Sequence, residues 1–339
     1  MIVRISPSSE NILTRLRKLS RLPVVRAFAA LCFVVILGII FNADGAFFKW
    51  DTHRDMFRHI SVFGILACGM TLVIITAGID LSVGSILGLT AVLFSMFSIH
   101  LGWPPFFTIM VCLLAGLSCG LTSGFIIDRF KIQPFIATLA MMVFARGMAK
   151  WVSGGQKIST AVLQADGTYK YVEAPAIFNI INSKIFHENI AVVTLIFLGC
   201  ILICWLILSK LRCGRHIYAV GGNEEAARLS GIPVTATKLL VYGASGFFCA
   251  IAGICQAAQE FQGDPEAGMT YELTAIAIVV IGGTNLMGGT GGIGLTLIGA
   301  MTIGYLEKIL SINAVGEASR LMLTGTIIVG AVLFQKYRK

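Results

Sequence analysis

Residues 190–208 read IAVVTLIFLGCILICWLIL, nineteen positions without one charged side chain. An α-helix rises about 1.5 Å per residue, so this run can cross a hydrocarbon core about 30 Å thick. Working outward from it, nine further apolar stretches lie near 24–41, 58–78, 81–100, 106–127, 135–152, 237–259, 271–287, 293–310 and 320–335. Those at 58–78 and 271–287 are short or interrupted by glycine. Inside a bilayer every backbone polar group must be satisfied within its own segment, so repeated runs of this length predict helices. The expected fold is an all-α polytopic membrane protein with about ten transmembrane helices. Composition agrees: 56% of the 339 residues are hydrophobic and 13% charged, against about 25% charged in a soluble domain.

The net charge of +9 is placed for topology rather than for nucleic acid. Arg4, Arg15, Arg17, Lys18, Arg21 and Arg26 precede or open the first span, opposed only by Glu10. Lys and Arg collect on the cytoplasmic side of short loops. Threading ten spans from a cytoplasmic amino terminus puts Arg129 and Lys131, then Lys210, Arg212 and Arg215, then Lys336, Arg338 and Lys339 on that side too. Both termini are therefore expected in the cytoplasm. Residues 1–23 form a basic cytoplasmic segment and 24–339 a single transmembrane domain, with an outer segment at 153–189 and an inner loop at 209–236. The first apolar stretch is long for a signal core and lacks a clear small-x-small cleavage site, so it is expected to be retained. Eight of the nine cysteines fall in spans; Cys200 and Cys204 have no nearby histidine or second cysteine pair to complete a zinc site. No metal and no cofactor are expected.

Residues 42–57 mix Asp44, Lys49, Asp51, Arg54 and Asp55 with aromatics and predict a short amphipathic helix at the outer surface. Within 209–236, the run from Gly221 to Gly231 has a helical core, Glu224 to Leu229, bracketed by glycines and followed by Pro233, which are stop signals. Gly116, Gly120 and Gly124 recur every four residues on one helix face, a pattern that lets membrane helices approach closely.

Three features go beyond packing. Asp80 lies in Gly78-Ile79-Asp80-Leu81-Ser82-Val83-Gly84, where one span gives way to the next. A carboxylate at that depth costs about 2.5–3.5 kcal/mol on insertion scales, so it either caps the next helix or lines a wet pathway. Arg146 lies about 18 Å along a helix begun at Pro134, too deep to snorkel easily, and calls for a cavity or a carboxylate partner. Gly282 to Gly292 is glycine-rich but lacks the Gly-Lys-Ser/Thr of a P-loop, so its glycines predict a broken or tightly turned backbone rather than ATP binding.

The motif at 78–84, Phe135-Ile136-Ala137-Thr138-Leu139 followed by Arg146-Gly147, the helix at 221–231, Tyr271-Glu272-Leu273 and Gly282 to Ala300 together resemble the permease family of ribose-type bacterial ABC sugar importers. The resemblance runs from about residue 60 to the carboxy terminus, in family order. It implies a multi-pass inner-membrane subunit that is not itself an enzyme and that moves a monosaccharide. It further implies two cytoplasmic ATPase subunits that hydrolyse ATP, a periplasmic sugar-binding protein and a second permease, identical or related. Asp80, Ser82, Arg146, Tyr271, Glu272 and Asn285 are then expected along the substrate pathway. Asn223, Glu224, Glu225, Ala226, Ala227, Arg228, Leu229 and Gly231 are expected in the helix that couples to the ATPase, with Glu224, Glu225 and Arg228 making its charged contacts. The chain departs from the pattern at Leu295, where the family usually has glycine, and in an insert around Gln164-Ala165-Asp166-Gly167-Thr168. The competing expectation is a lone carrier driven by protons or sodium, with Asp80 and Arg146 as its coupling charges. A membrane enzyme finds little support, because the five histidines are scattered along the chain.

Overall fold

A computed structural model describes residues 22–163, 168–316, 318–323, 325 and 326. Among these, eight helices are long and apolar enough to cross a membrane. They are α1 (Pro23–Ile40), α2 (Trp50–Ile75), α3 (Val83–Ser95, extended by a π turn at Met96–His100), α4 (Pro105–Phe130), α5 (Pro134–Ser153), α7 (Val192–Ser209), α10 (Val234–Glu260) and α12 (Ile293–Ile312). The short helices are α6 (Ala176–Asn182), α8 (Arg212–Gly222), α9 (Glu224–Leu229) and the apolar α11 (Tyr271–Gly282).

Successive spans alternate between two ends of the bundle, which their contacts identify. At one end Gly221 packs on Ile75, Thr235 bonds Asp128 and Gly283 lies on Pro23; this is the glycine-loop end. At the other, Trp50 Nε1 donates to Asn189 Oδ1, Asn313 Nδ2 donates to Phe41 O, and three two-stranded antiparallel ribbons form. This hairpin end carries β1 (Ile158–Ser159) paired with β6 (Gln262–Gly263), β2 (Ala161–Leu163) with β3 (Tyr169–Tyr171), and β4 (Lys184–Ile185) with β5 (Ile190–Ala191).

Helices α2, α3 and α10 form the centre and are largely buried, while α1, α4, α5 and α7 turn most of their surface outward. That outer surface carries Phe28, Phe33, Phe106, Val143, Phe144 and Leu202, the side chains lipid would cover. Helix–helix attraction in lipid depends on close packing rather than on apolar burial, and the glycine stripe provides it. A β-carbon at Gly120 would collide with the Tyr242 carbonyl oxygen, and one at Gly246 with that of Gly116. Helices α4 and α10 thus touch backbone to backbone. Gly120→Leu is expected to cost at least the ~1–3 kcal/mol of an overpacked core, because a carbonyl cannot rotate away as a side chain can. The measure is monodisperse protein recovered in mild detergent, expected to fall several-fold, while Gly147→Ala, where a β-carbon meets nothing, should match the parent.

Several boundaries differ from the sequence expectation. Residues 50–57 are not part of a separate surface helix; they are the first two turns of α2, whose 26 residues make it about 39 Å long. Its polar start is stabilised by Arg54–Asp51 at 2.8 Å and Lys308–Asp55 at 3.8 Å, which is why the apolar pattern begins late. Only Ala46–Phe48 forms a separate helical turn. The stretch 271–287 is helical only to Gly282, because Gly283 takes φ 101°. The inner loop holds two helices, α8 and α9, rather than one. The expected segment 320–335, most of the insert at 164–168 and the basic stretch before Leu22 lie wholly or largely outside the described residues.

Candidate translocation and coupling sites

Between α2 and α3 the chain is unwound, and Asp80 sits in the gap with 1% of its surface exposed. Its Oδ1 accepts from Ser82 N at 3.0 Å and Ser82 Oγ at 2.5 Å; its Oδ2 accepts from Ser245 Oγ of α10 at 2.7 Å. Asp80 is not the N-cap of α3, a position held by Ser82 without a side-chain cap bond. It closes an Asx turn one step earlier and ties that turn to the central helix. Thr138 of α5, in the Phe135–Leu139 motif, donates to Ile79 O at 3.3 Å. Three helices therefore converge on the break.

Arg146 and Glu272 meet on α3 one turn above it. Arg146 Nη1 donates to Pro265 O at 2.5 Å and Ala267 O at 2.7 Å. Where the sequence called for a cavity or a carboxylate partner, its hydrogen-bond partners are backbone carbonyls, with the Glu272 carboxylate nearby. The clamped stretch, residues 261–270, runs antiparallel to α3: Gly263 packs on Ala91 and Gly268 on Gly84. It re-enters the bundle through the short strand Gln262–Gly263 and a series of turns, and hands over to α11 inside it. Non-helical backbone at such depth survives only where protein encloses it, and the enclosure is made by Gly84 and Gly88. A β-carbon at Gly88 would lie 2.7 Å from Arg146 Nη1, and one at Gly84 2.9 Å from Glu272 Oε2. Tyr271 packs tilted against Phe63, ring centroids 4.3 Å apart. Lys150, one turn beyond Arg146, reaches Glu266 at 3.1 Å.

Asn285 is elsewhere, at the glycine-loop end. It shapes the loop from within, its Nδ2 donating to Gly288 O at 3.2 Å and its Oδ1 accepting from Met287 N at 3.2 Å. That loop seats on α8 and α2 together: Gly289 N donates to Ile75 O at 2.9 Å, Tyr218 Oη donates to Gly291 O at 2.9 Å, and a β-carbon at Gly221 would collide with Ile75 O. Leu295 does not spread the adjoining helices, because α11 and α12 meet through Gly282 on the Leu295 carbonyl and Gly299 on that of Ile278.

Helix α9 is short but held at its start and along one face. Asn223 caps it, its Oδ1 accepting from Ala226 N at 2.9 Å. Glu224 takes Arg228 at 2.9 Å and Lys238 of α10 at 2.8 Å. Partial burial pushes the Glu224 carboxyl up, but hydrogen bonds and charge from Lys238 and Arg228 outweigh it and leave it below its ordinary range. Ala227 is buried against Val220 and Val234 and so faces the bundle, whereas Glu225, Ala226, Arg228 and Leu229 are exposed. Gly231, at φ 78°, turns the chain away. Leu229 is 81% exposed, a large apolar side chain standing free of its own protein.

The pathway residues expected from sequence thus fall in three places: Asp80 with Ser82, Arg146 with Tyr271 and Glu272, and Asn285 in the glycine loop. Sequence reasoning missed Ser245, Tyr218 and Lys238. A serine in a small-residue helix gives no signal, but Lys238 beside an apolar run was a legible one.

Residues 54–332 match the family model described as branched-chain amino acid transport system / permease component. A ribose import permease protein of Haemophilus influenzae is 39% identical over 92% of this chain and 93% of its own. A fructose import permease protein of Rhizobium meliloti is 32% identical over 93% and 84%, and a xylose transport system permease protein of Escherichia coli 33% identical over 88% of each. No solved structure matches the chain. Apolar helices and permease relatives together make this a multi-pass inner-membrane protein, and the chain belongs to that family of transport permeases.

Proposed function

We propose that the chain is the membrane-spanning subunit of an ATP-driven importer for a monosaccharide delivered by a periplasmic binding protein, and that α9 receives the work of a separate ATPase. The relatives named for ribose, fructose and xylose support the substrate class. The observation that carries the coupling role is the seat of α8 and α9. Ile75 O is touched at once by the end of α8 and by the glycine loop, and it ends the helix that leads, five residues on, to Asp80. A push on α9 therefore reaches the unwound break at Asp80 through rigid contacts rather than through a flexible loop. Lys131, Lys210, Arg212 and Arg215 gather at this end, which supports a cytoplasmic orientation for it. Arg146 and Glu272 hold the re-entrant chain and α11 against α3, so that α3 and α11 move as one body when the break shifts.

The test is uptake by proteoliposomes holding the chain, its ATPase and its binding protein. Labelled D-ribose, D-xylose or D-fructose should accumulate only with ATP, stop with orthovanadate and persist with proton and sodium ionophores. Uptake by the chain alone, collapsed by an ionophore, would overturn the proposal.

A further inference from the structure

At the hairpin end, the polar start of α2 and the end of α12 part to leave a cavity of about 440 Å³, within the ~300–1,000 Å³ usual for small-ligand pockets. Asp55, Arg58, His59, Gln259, Glu307 and Lys308 reach into it. We propose that this cavity is a vestibule that holds one monosaccharide by its hydroxyls on the way to Tyr271. The inference rests on the sugar-import reading above.

The chemistry of the wall selects the ligand. Its carboxyl groups offer mainly acceptors, its guanidinium and ammonium groups can only donate, and Gln259 does both. A polyol, each of whose hydroxyls donates and accepts, satisfies such a mixture; an ion of either sign does not. Asp55 and Lys308 are already set against each other at 3.8 Å, and the His59 ring lies 3.7 Å from the Glu307 carboxyl. With Arg58 and Arg320 added, three cations face two carboxylates, too even a balance to favour a strongly charged solute. Arg58 is itself fixed by Asn182, and Gln259 donates to Arg58 O at 3.4 Å. The polar groups are therefore held in place before a ligand arrives.

The cavity also leads somewhere. His59 and Phe63, one turn apart on α2, have ring centroids 5.4 Å apart, and the Tyr271 ring lies tilted against Phe63 at 4.3 Å. Aromatic faces suit the C–H face of a sugar ring while neighbouring polar groups take its hydroxyls. This line of rings runs from the cavity to the residue preceding Glu272, and so to the Arg146 clamp. It joins a site that sequence patterns do not mark to one that they do.

The experiment is occlusion of the cavity in the assembled importer. Ser311, on its wall and exposed, is replaced in Ser311→Cys, and sealed proteoliposomes are treated with either a bulky impermeant maleimide or a reagent adding only a thiomethyl group. ATP-driven uptake of labelled D-ribose should fall at least tenfold with the bulky adduct and less than twofold with the small one. The unmutated protein, whose Cys32 and Cys213 are its only cysteines not buried, receives the same treatment as the background. Should Ser311→Cys not assemble, Ser311→Trp against Ser311→Ala carries the same comparison without labelling. Uptake within twofold of the unlabelled variant after bulky labelling would overturn the vestibule and leave the importer standing. Absence of ATP-driven uptake of all three sugars by the unmutated protein would instead overturn the importer assignment, and the vestibule with it.

Discussion

Leu229→Asp is expected to leave the protein in the membrane at parental abundance and to cut ATP-driven sugar uptake at least a hundredfold. Among the described residues Leu229 is 81% exposed, so the substitution should change folding by less than about 0.5 kcal/mol. If the side chain fills a pocket on the ATPase, its removal forfeits the ~1.5–3 kcal/mol of a buried leucine, and the new carboxylate adds a desolvation cost. Each ~1.4 kcal/mol is tenfold in affinity, so the lost burial alone gives about ten- to a hundredfold, and the buried carboxylate carries the loss beyond that. Co-elution of the ATPase in mild detergent should be lost in parallel. Ala227→Trp should give a similar loss of uptake by another route. Ala227 faces Val220 and Val234, so a large ring there lifts α9 off the bundle instead of removing a contact. Full uptake in Leu229→Asp, with the ATPase still bound, would exclude α9 as the seat of coupling.

Much of this arrangement is legible in the sequence where one physical effect dominates. The run at 190–208 fixes α7 to within two residues at either end, since nothing competes with hydrocarbon for it. Glycine spacing at 116, 120 and 124 marks the face on which α4 meets α10, because only a missing β-carbon permits that approach. The helix at 224–229 is marked by the glycines that bracket it and by Pro233 beyond. Legibility ends where two effects compete. At 50–57 tertiary ion pairs extend a helix through charged residues, and hydropathy alone places its start too late. The run of turns at 261–270 re-enters the bundle without forming a helix, because Arg146 and the glycines of α3 hold it open. Those are long-range contacts that no local pattern encodes. The same holds for Arg146 itself: its depth was readable, but its carbonyl partners 119 and 121 residues away were not.

Asp80 is where the structural and ionic accounts of this chain can be separated. Its carboxylate accepts from three donors: Ser82 N, Ser82 Oγ and Ser245 Oγ. In Asp80→Ala the two hydroxyls can rotate toward other acceptors, but the Ser82 N–H cannot. A buried donor left unpaired costs about 1–3 kcal/mol. The Asx turn that begins α3 should loosen, with apparent thermal stability lowered and uptake reduced at least tenfold. Asp80→Asn keeps an oxygen for both Ser82 donors and offers an amide to Ser245, whose hydroxyl can turn to accept. Uptake by that variant should stay within about threefold of the parent, with stability near parental. A proton- or sodium-coupled carrier using Asp80 would show the reverse pattern, since asparagine holds the turn but cannot carry the charge. Asp80→Asn that is as stable as the parent yet as inactive as Asp80→Ala would therefore count against a purely positioning role for this carboxylate. If activity follows the hydrogen bonds rather than the charge, the carboxylate serves to hold the break between α2 and α3 in a shape that α9 can move.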